Sequence, residues 1–188
     1  MILSGASVKP KLLPGDIGFL MHHDNWISKG FAWVMGSKWS HSFLIQETTE
    51  MRTYTSETSD FHVMIGTLDK YLGDKNVTME IWRCPWLSDE MRLKIAKEAV
   101  DRTFGDTYGY FQVISLGIRI AFRHLKLRIK NWIKRGTVCC GHVMTGYHYA
   151  KIPGWEFDPE SIDTEEMYKL VKHYEFKMIL QKQKGELL

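Results

Sequence analysis

Residues 137–147 read Thr-Val-Cys-Cys-Gly-His-Val-Met-Thr-Gly-Tyr, and the pattern predicts a helix that begins at Cys139. A thiol at a helix N-terminus meets the positive end of the helix dipole and unpaired backbone N–H groups, which both favour the thiolate. Residues 39–45, Trp-Ser-His-Ser-Phe-Leu-Ile, predict a buried strand that carries His41. A histidine beside such a thiol activates it as a nucleophile. The two segments therefore suggest covalent acyl-transfer chemistry.

The composition bounds the class of protein. The chain has 188 residues, of which 44% are hydrophobic and 13% aromatic, so it can form a domain with a real core and is not of the disordered type. The formal net charge of +3 is only mildly basic and gives no reason to expect nucleic-acid binding.

The cysteines and the apolar stretches bear on the compartment. The three cysteines are few and odd in number, and two of them are adjacent, which argues against a disulfide framework. We find no signal-peptide pattern at the N-terminus, and the apolar stretch 111–122 is too short to span a bilayer. These features lead us to expect a cytoplasmic protein.

The rest of the chain alternates between strand and helix patterns and predicts one α+β domain, in which a small antiparallel sheet packs against helices. The predicted strands are 17–21, 40–46, 52–58, 77–83 and 174–180, of which the second and third form a hairpin. The predicted helices are a short one capped by Asp24 or Asn25 and stopped by Gly36, one that starts at Ser88, a mainly helical stretch 108–135, the helix 139–149, and 165–171.

A catalytic imidazole also needs a polar group that fixes its orientation. If the two hairpin strands pair, a side chain of the second strand can reach the outer ring nitrogen, and Glu57 is the best candidate, with Glu47 and Gln46 behind it. The backbone N–H of Cys139 or Cys140 would bind the oxyanion of the reaction.

Two rival roles concern the residues around the thiol. Cys139, Cys140 and His142, with His22 and His23, could form a metal site, but adjacent cysteines rarely chelate one ion well, and we expect neither a metal nor an organic cofactor. His142 lies three positions after Cys139 on the helix, so it is a second candidate imidazole.

Residues 119–135 are basic and contain no acidic residue. Their apolar positions fit an amphipathic helix with a solvated basic face, and the alternative is a contact with an anionic surface through Arg123, Lys126 and Lys130. Trp33, Met35 and Trp39 could line an apolar substrate groove or simply belong to the core.

Four blocks of the sequence resemble the YiiX-like group, which comprises circularly permuted papain-like proteins of the NlpC superfamily. The blocks are Leu-Pro-Gly-Asp-Ile-Gly-Phe at 13–19, Trp-Ser-His-Ser-Phe-Leu-Ile at 39–45, Tyr-Thr-Ser-Glu-Thr at 54–58 and Val-Cys-Cys-Gly-His-Val at 138–143. Histidine precedes cysteine here, as in the permuted branch. The resemblance covers about residues 12–150 and implies a single domain over 1–188, with a helix and a strand added at 151–188.

This resemblance implies a cysteine peptidase or amidase-type hydrolase, or an acyltransferase, that acts on an amide, isopeptide or ester bond of a peptide, cell-wall or lipid-derived acyl substrate. Cys139 would be the nucleophile, His41 the general base and Glu57 the orienting residue. Cys140 stands where the group has serine and His142 where it has an apolar residue, so a redox role or a reassigned nucleophile at Cys140 stays open. The alternatives are a non-catalytic binding or structural protein on the same scaffold and a lipid-binding protein that uses segment 119–135.

Overall fold

The computed structural model describes residues 10–59, 62–106, 118 and 138–188. These residues form one antiparallel sheet in the order β4-β3-β2-β1-β5-β6. The strands are β1 Ile17–His22, β2 His41–Thr48, β3 Thr53–Ser59, β4 His62–Thr67, β5 Val77–Arg83 and β6 Lys177–Lys182. The helices are α1 Trp26–Met35, α2 Asp69–Leu72, α3 Asp89–Thr103, α4 Cys139–Tyr149 and α5 Thr164–His173, with a 3-10 turn at Pro159–Ser161 before α5.

The expected α+β class and antiparallel sheet are confirmed, and helix ends follow the residues that the sequence marks for them. The side chain of Asn25 caps α1 by accepting from the N–H of Ile27, and Gly36 ends this helix in the left-handed conformation. Ser88 caps α3 in the same way. The predicted helix at 139–149 coincides with α4.

The sequence pattern did not predict two of the elements, β4 and α2. Strand β4 lies at the edge of the sheet, and among its central residues only Val63 is buried, so it lacks the alternation that marks a half-buried strand. Helix α2 has four residues, which is too short for a helical period to show in the sequence.

The predicted strand 174–180 starts too early. The chain turns at Glu175, whose φ of 55° is left-handed, so Tyr174 ends α5 and β6 begins at Lys177. The predicted helical stretch 108–135, with Arg123, Lys126 and Lys130, lies outside the described residues apart from position 118. No helix in the part of the chain that the structure describes is long and apolar enough to cross a membrane.

The sheet separates two apolar clusters, because successive residues of a strand face opposite sides. On one side Leu20 and Phe43 pack against Tyr71 of α2. On the other side the sheet packs against α3 and α4. These two helices approach closely at Gly146, where an added Cβ would lie 2.7 Å from the carbonyl oxygen of Ile95. The close approach fixes α4, and with it Cys139, over this face of the sheet.

The turn before β1 ties the sheet to α3 and α4. Asp16 is fully buried, and Arg83 of β5 donates to it from Nε at 2.9 Å and from Nη2 at 2.6 Å. Arg92 of α3 lies 3.4 Å from the same carboxylate. The hydroxyl of Tyr147 in α4 donates to the carbonyl of Gly15 at 2.7 Å. This turn therefore connects β5, α3 and α4 through polar contacts.

We predict that Asp16→Asn lowers the free energy of unfolding by about 3 kcal/mol or more, because it leaves two guanidinium groups without their buried anion. Urea unfolding measures the change. Asp101→Asn is the control, since its ion pair with Lys97 is on the exposed face of α3 and is expected to leave the midpoint unchanged. Equal midpoints for Asp16→Asn and the wild type would contradict this account of the turn.

Candidate active site

Strand β3 does not pair with the first residues of β2. The register of the two strands ends at the pair Leu44 and Ser56, whereas β2 continues to His41 and still pairs there with β1. Alternate N–H groups of a strand face its two neighbours, so the N–H of Ser42 faces the place that β3 has left. This N–H donates to the sulfur of Cys139, at the first residue of α4.

The structure brings the three predicted site residues together at this point. His41 Nε2 lies 2.8 Å from Glu57 Oε2, and the imidazole also hydrogen-bonds with the Cys139 thiol. Because Glu57 occupies Nε2, Nδ1 is the ring nitrogen left for the sulfur. The Glu57 side chain is fully buried, whereas that of His41 is 18% exposed and Cys139 is 7% exposed. Of the three groups, the imidazole is therefore the most exposed to solvent, and the carboxylate is shielded from it.

The contacts favour charges on all three groups. Burial lowers the pKa of His41, but the hydrogen bonds and charges of Cys139 and Glu57 outweigh it and raise this pKa to about 10. The hydrogen bond from Cys140 and the contacts with His41 outweigh burial and hold the pKa of Cys139 well below its usual range. Both shifts favour the thiolate and imidazolium form of the pair.

Glu57 has more partners than the sequence revealed. Its Oε1 lies 2.7 Å from Lys70 Nζ and 3.3 Å from Thr55 Oγ1, and the hydroxyl of Tyr71 donates to Oε2. Burial raises the pKa of Glu57, but the hydrogen bond and charge of His41 and the charge of Lys70 outweigh it and lower the pKa below its ordinary value. Lys70 and Tyr71 belong to α2, whose sequence carries no signal that connects it with the site.

The other two thiols differ from Cys139. Cys140 Sγ lies 3.0 Å from the carbonyl oxygen of Ile162, and the hydrogen bond to Cys139 together with burial holds the pKa of Cys140 well above its usual range. Cys140 has one proton, which it can give either to this carbonyl or to the Cys139 sulfur. Burial raises the pKa of Cys84 to about 11. Cys139 is thus the cysteine whose surroundings stabilise a thiolate.

The second candidate imidazole, His142, is fully buried, and its ring bonds to residues other than Cys139. Nε2 lies 2.7 Å from Ser56 Oγ, and Nδ1 lies 2.8 Å from Thr103 Oγ1. Burial lowers the pKa of His142 to about 4, so the ring is neutral at pH 7. Gln46, a fallback for the orienting role, donates to Ser56 instead, and the other fallback, Glu47, is exposed at a bulge in β2.

The remaining histidines considered as metal ligands have partners of their own, and the ring of His22 packs edge-on against Tyr71 with centroids 5.8 Å apart. His23 Nε2 lies 2.9 Å from Thr78 Oγ1, and His22 Nδ1 lies 4.0 Å from Asp74. Over residues 10–59, 62–106, 118 and 138–188, no three His, Cys, Asp or Glu side chains are grouped so that they could hold a metal ion.

The predicted groove residues separate in the structure. Trp39 is 1% exposed and packs edge-on against Tyr168, and it also lines a pocket of about 230 Å³ beside Lys38 and Glu80. Trp33 lies on α1 and is 84% exposed. The two tryptophans therefore do not form one apolar wall.

Comparison with solved structures finds a similar chain in the crystal structure of the metalloprotein YiiX from Escherichia coli O157:H7. The match has 21% sequence identity and a TM-score of 0.53, and it covers 76% of this chain and 67% of the YiiX chain. This chain has a YiiX-like fold. At this identity the likeness concerns the fold alone, and to that extent the resemblance predicted from the sequence is confirmed. No family model and no curated protein matches the chain.

The buried His142 predicts a specific pH dependence of stability. Its pKa is about 4 in the folded protein and near 6.5 when unfolded, so the unfolded chain takes up a proton first as the pH falls. We predict that this group lowers the free energy of unfolding by about 1.4 kcal/mol per pH unit between pH 6.5 and 4, and that its contribution is constant above this window.

Urea unfolding of the wild type and of His142→Gln from pH 7.5 to 4 measures this effect as the difference between the two curves. The charged groups that face His142, namely Cys139, Glu57 and His41, are common to both proteins. A constant difference across the whole range would show that the ring is not held neutral.

Proposed function

We propose that the protein is a thiol-dependent hydrolase or acyltransferase that acts on an amide, isopeptide or ester bond and is built on a circularly permuted papain-like domain of the NlpC type. The observation that carries the proposal is the position of His41, which bonds to the Cys139 thiol on one side and to the Glu57 carboxylate on the other. Nucleophile, base and orienting group in such contact are the requirements of cysteine-based acyl transfer.

Each group has a defined role in the proposed reaction. The Cys139 thiolate attacks the carbonyl carbon, and the His41 imidazolium gives its proton to the leaving amine or alkoxide, so that a thioester remains on the enzyme. Neutral His41 then takes a proton from water or from an acceptor, which attacks the thioester and restores the thiolate. Glu57 stays ionised throughout and holds the imidazole by Nε2.

The start of α4 supplies groups for the oxyanion. Val138, the residue before the helix, makes no capping bond through its side chain, and the backbone of this turn first bonds at the N–H of His142. The N–H groups of Cys139 and Cys140 are therefore the proposed donors to the oxyanion.

The proposal uses no metal. YiiX is described as a metalloprotein. In this protein the polar groups of the site bond to one another: imidazole to carboxylate, imidazole to thiol, and carboxylate to lysine. The proposed substrates remain peptide, cell-wall or lipid-derived acyl compounds. The proposed alternatives are a non-catalytic binding or structural protein on the same scaffold and a lipid-binding protein that uses segment 119–135.

We predict that iodoacetamide modifies Cys139 at pH 6 much faster than Cys84 or Cys140, with an apparent pKa between about 3.5 and 7.5. Peptide mapping by mass spectrometry follows the three thiols separately across pH 4 to 10. His41→Asn serves as the matched variant, since loss of the imidazolium is expected to return the Cys139 midpoint toward about 8.5. Equal and slow modification of all three thiols would leave only the binding alternatives.

We predict that Glu57→Gln slows hydrolysis of an activated p-nitrophenyl ester at pH 7 by at least about tenfold, because the neutral amide no longer stabilises the imidazolium. Glu47→Gln, an exposed substitution in the same hairpin, is the control and is expected to keep the wild-type rate. Intact-mass spectrometry on the wild type should detect an acyl group on the protein, and Cys139→Ser should abolish it. Equal rates for Glu57→Gln and Glu47→Gln would refute the role of Glu57.

A further inference from the structure

The hydrogen bonds around His142 have one consistent direction. The hydroxyl of Thr103 donates to the carbonyl oxygen of Ala99 at 2.6 Å, so its oxygen must accept from Nδ1–H of His142. Nε2 of the neutral ring is then an acceptor, and the hydroxyl of Ser56 donates to it. The Ser56 oxygen in turn accepts from the side-chain amide of Gln46 at 2.5 Å. Both ring nitrogens of His142 and the hydroxyls of Ser56 and Thr103 are thus satisfied in a single arrangement.

This series of hydrogen bonds reaches the sheet at the point where β2 and β3 diverge. Ser56 is the last residue of β3 that pairs with β2, and the next residue along β3 is Glu57. His142 lies three residues after Cys139 on α4, slightly less than one helical turn along the helix. The bond between Ser56 and His142 thus joins the strand that carries the carboxylate to the helix that carries the thiol.

Neighbouring polar groups on this face do not duplicate the bond. Ser42 Oγ and Thr58 Oγ1 are buried on either side of the gap between the strands, and neither has a hydrogen-bond partner among the described residues. At the other ring nitrogen, the bond to Thr103 connects His142 to a different element, because Thr103 belongs to α3. The two ring nitrogens of His142 therefore connect α4 to two separate parts of the fold.

We propose that His142 is a positioning residue of the active site, which acts through Ser56 to keep Glu57 and Cys139 at the separation that His41 can bridge. The inference rests on the function proposed above. It assigns the two ring nitrogens different tasks: Nε2 holds the catalytic groups in place, whereas Nδ1 contributes to the packing of α4 on α3.

The test compares Ser56→Ala with Thr103→Val, each of which leaves one nitrogen of His142 without its partner. Urea unfolding is expected to show a similar loss of stability for both proteins. The pH profile of Cys139 alkylation by iodoacetamide is expected to separate them. Ser56→Ala should slow alkylation at pH 6 by roughly tenfold and shift the midpoint upward, whereas Thr103→Val should keep the wild-type profile.

A rescue pair completes the experiment. The side-chain oxygen of His142→Gln can accept from Ser56, so this variant should retain the wild-type profile, whereas His142→Leu should behave as Ser56→Ala does. Coinciding profiles for Ser56→Ala and Thr103→Val, with fast alkylation of the wild type, would overturn the positioning role alone. Slow alkylation of wild-type Cys139 would instead overturn the proposed function, so the two failures are distinct.

Discussion

The architecture of the site depends on the place where β2 and β3 cease to pair. A strand that loses its neighbour exposes an N–H that must find another acceptor, because an unpaired buried donor is costly. The start of α4 has the complementary need, since a thiolate requires donors around it. The Ser42 N–H and the Cys139 sulfur satisfy each other across this gap. The same divergence leaves Glu57 without a paired residue on β2, and its carboxylate reaches the side chain of His41 at the start of that strand.

Charge alternation explains how so many ionised groups tolerate burial. Lys70, Glu57, His41 and Cys139 follow one another as cation, anion, cation and anion, with each group in contact with the next. A buried ion is expensive unless a counter-charge and hydrogen bonds compensate its lost hydration. Here each internal member has a partner on both sides, and Tyr71 completes the shell of the carboxylate. The outermost cation, Lys70, keeps 39% of its side chain in solvent.

Local signals in the sequence were enough for the parts of the site that local structure determines. The helix start at Cys139 and the strand at His41 follow from pattern, and Glu57 follows once the two strands are taken as a hairpin. Lys70 could not be found in this way, because it reaches Glu57 only after β4 and the four residues of α2 have folded back. The sequence likewise left His142 open between a second catalytic imidazole and a metal ligand. Its partners lie 86 and 39 residues away, and only tertiary structure identifies them.

The hydrogen bond from the Ser42 N–H to the Cys139 sulfur has a consequence when the protein unfolds locally around the site. If α4 moves away from β2, the sulfur loses this donor and His41 in the same step, and its pKa returns toward the value of a free cysteine, about 8.5. A loosened molecule then carries a protonated and sluggish thiol at neutral pH. Local unfolding therefore lowers the reactivity of the thiol and does not release an unselective nucleophile. A reactive Cys139 accordingly indicates that the site is folded.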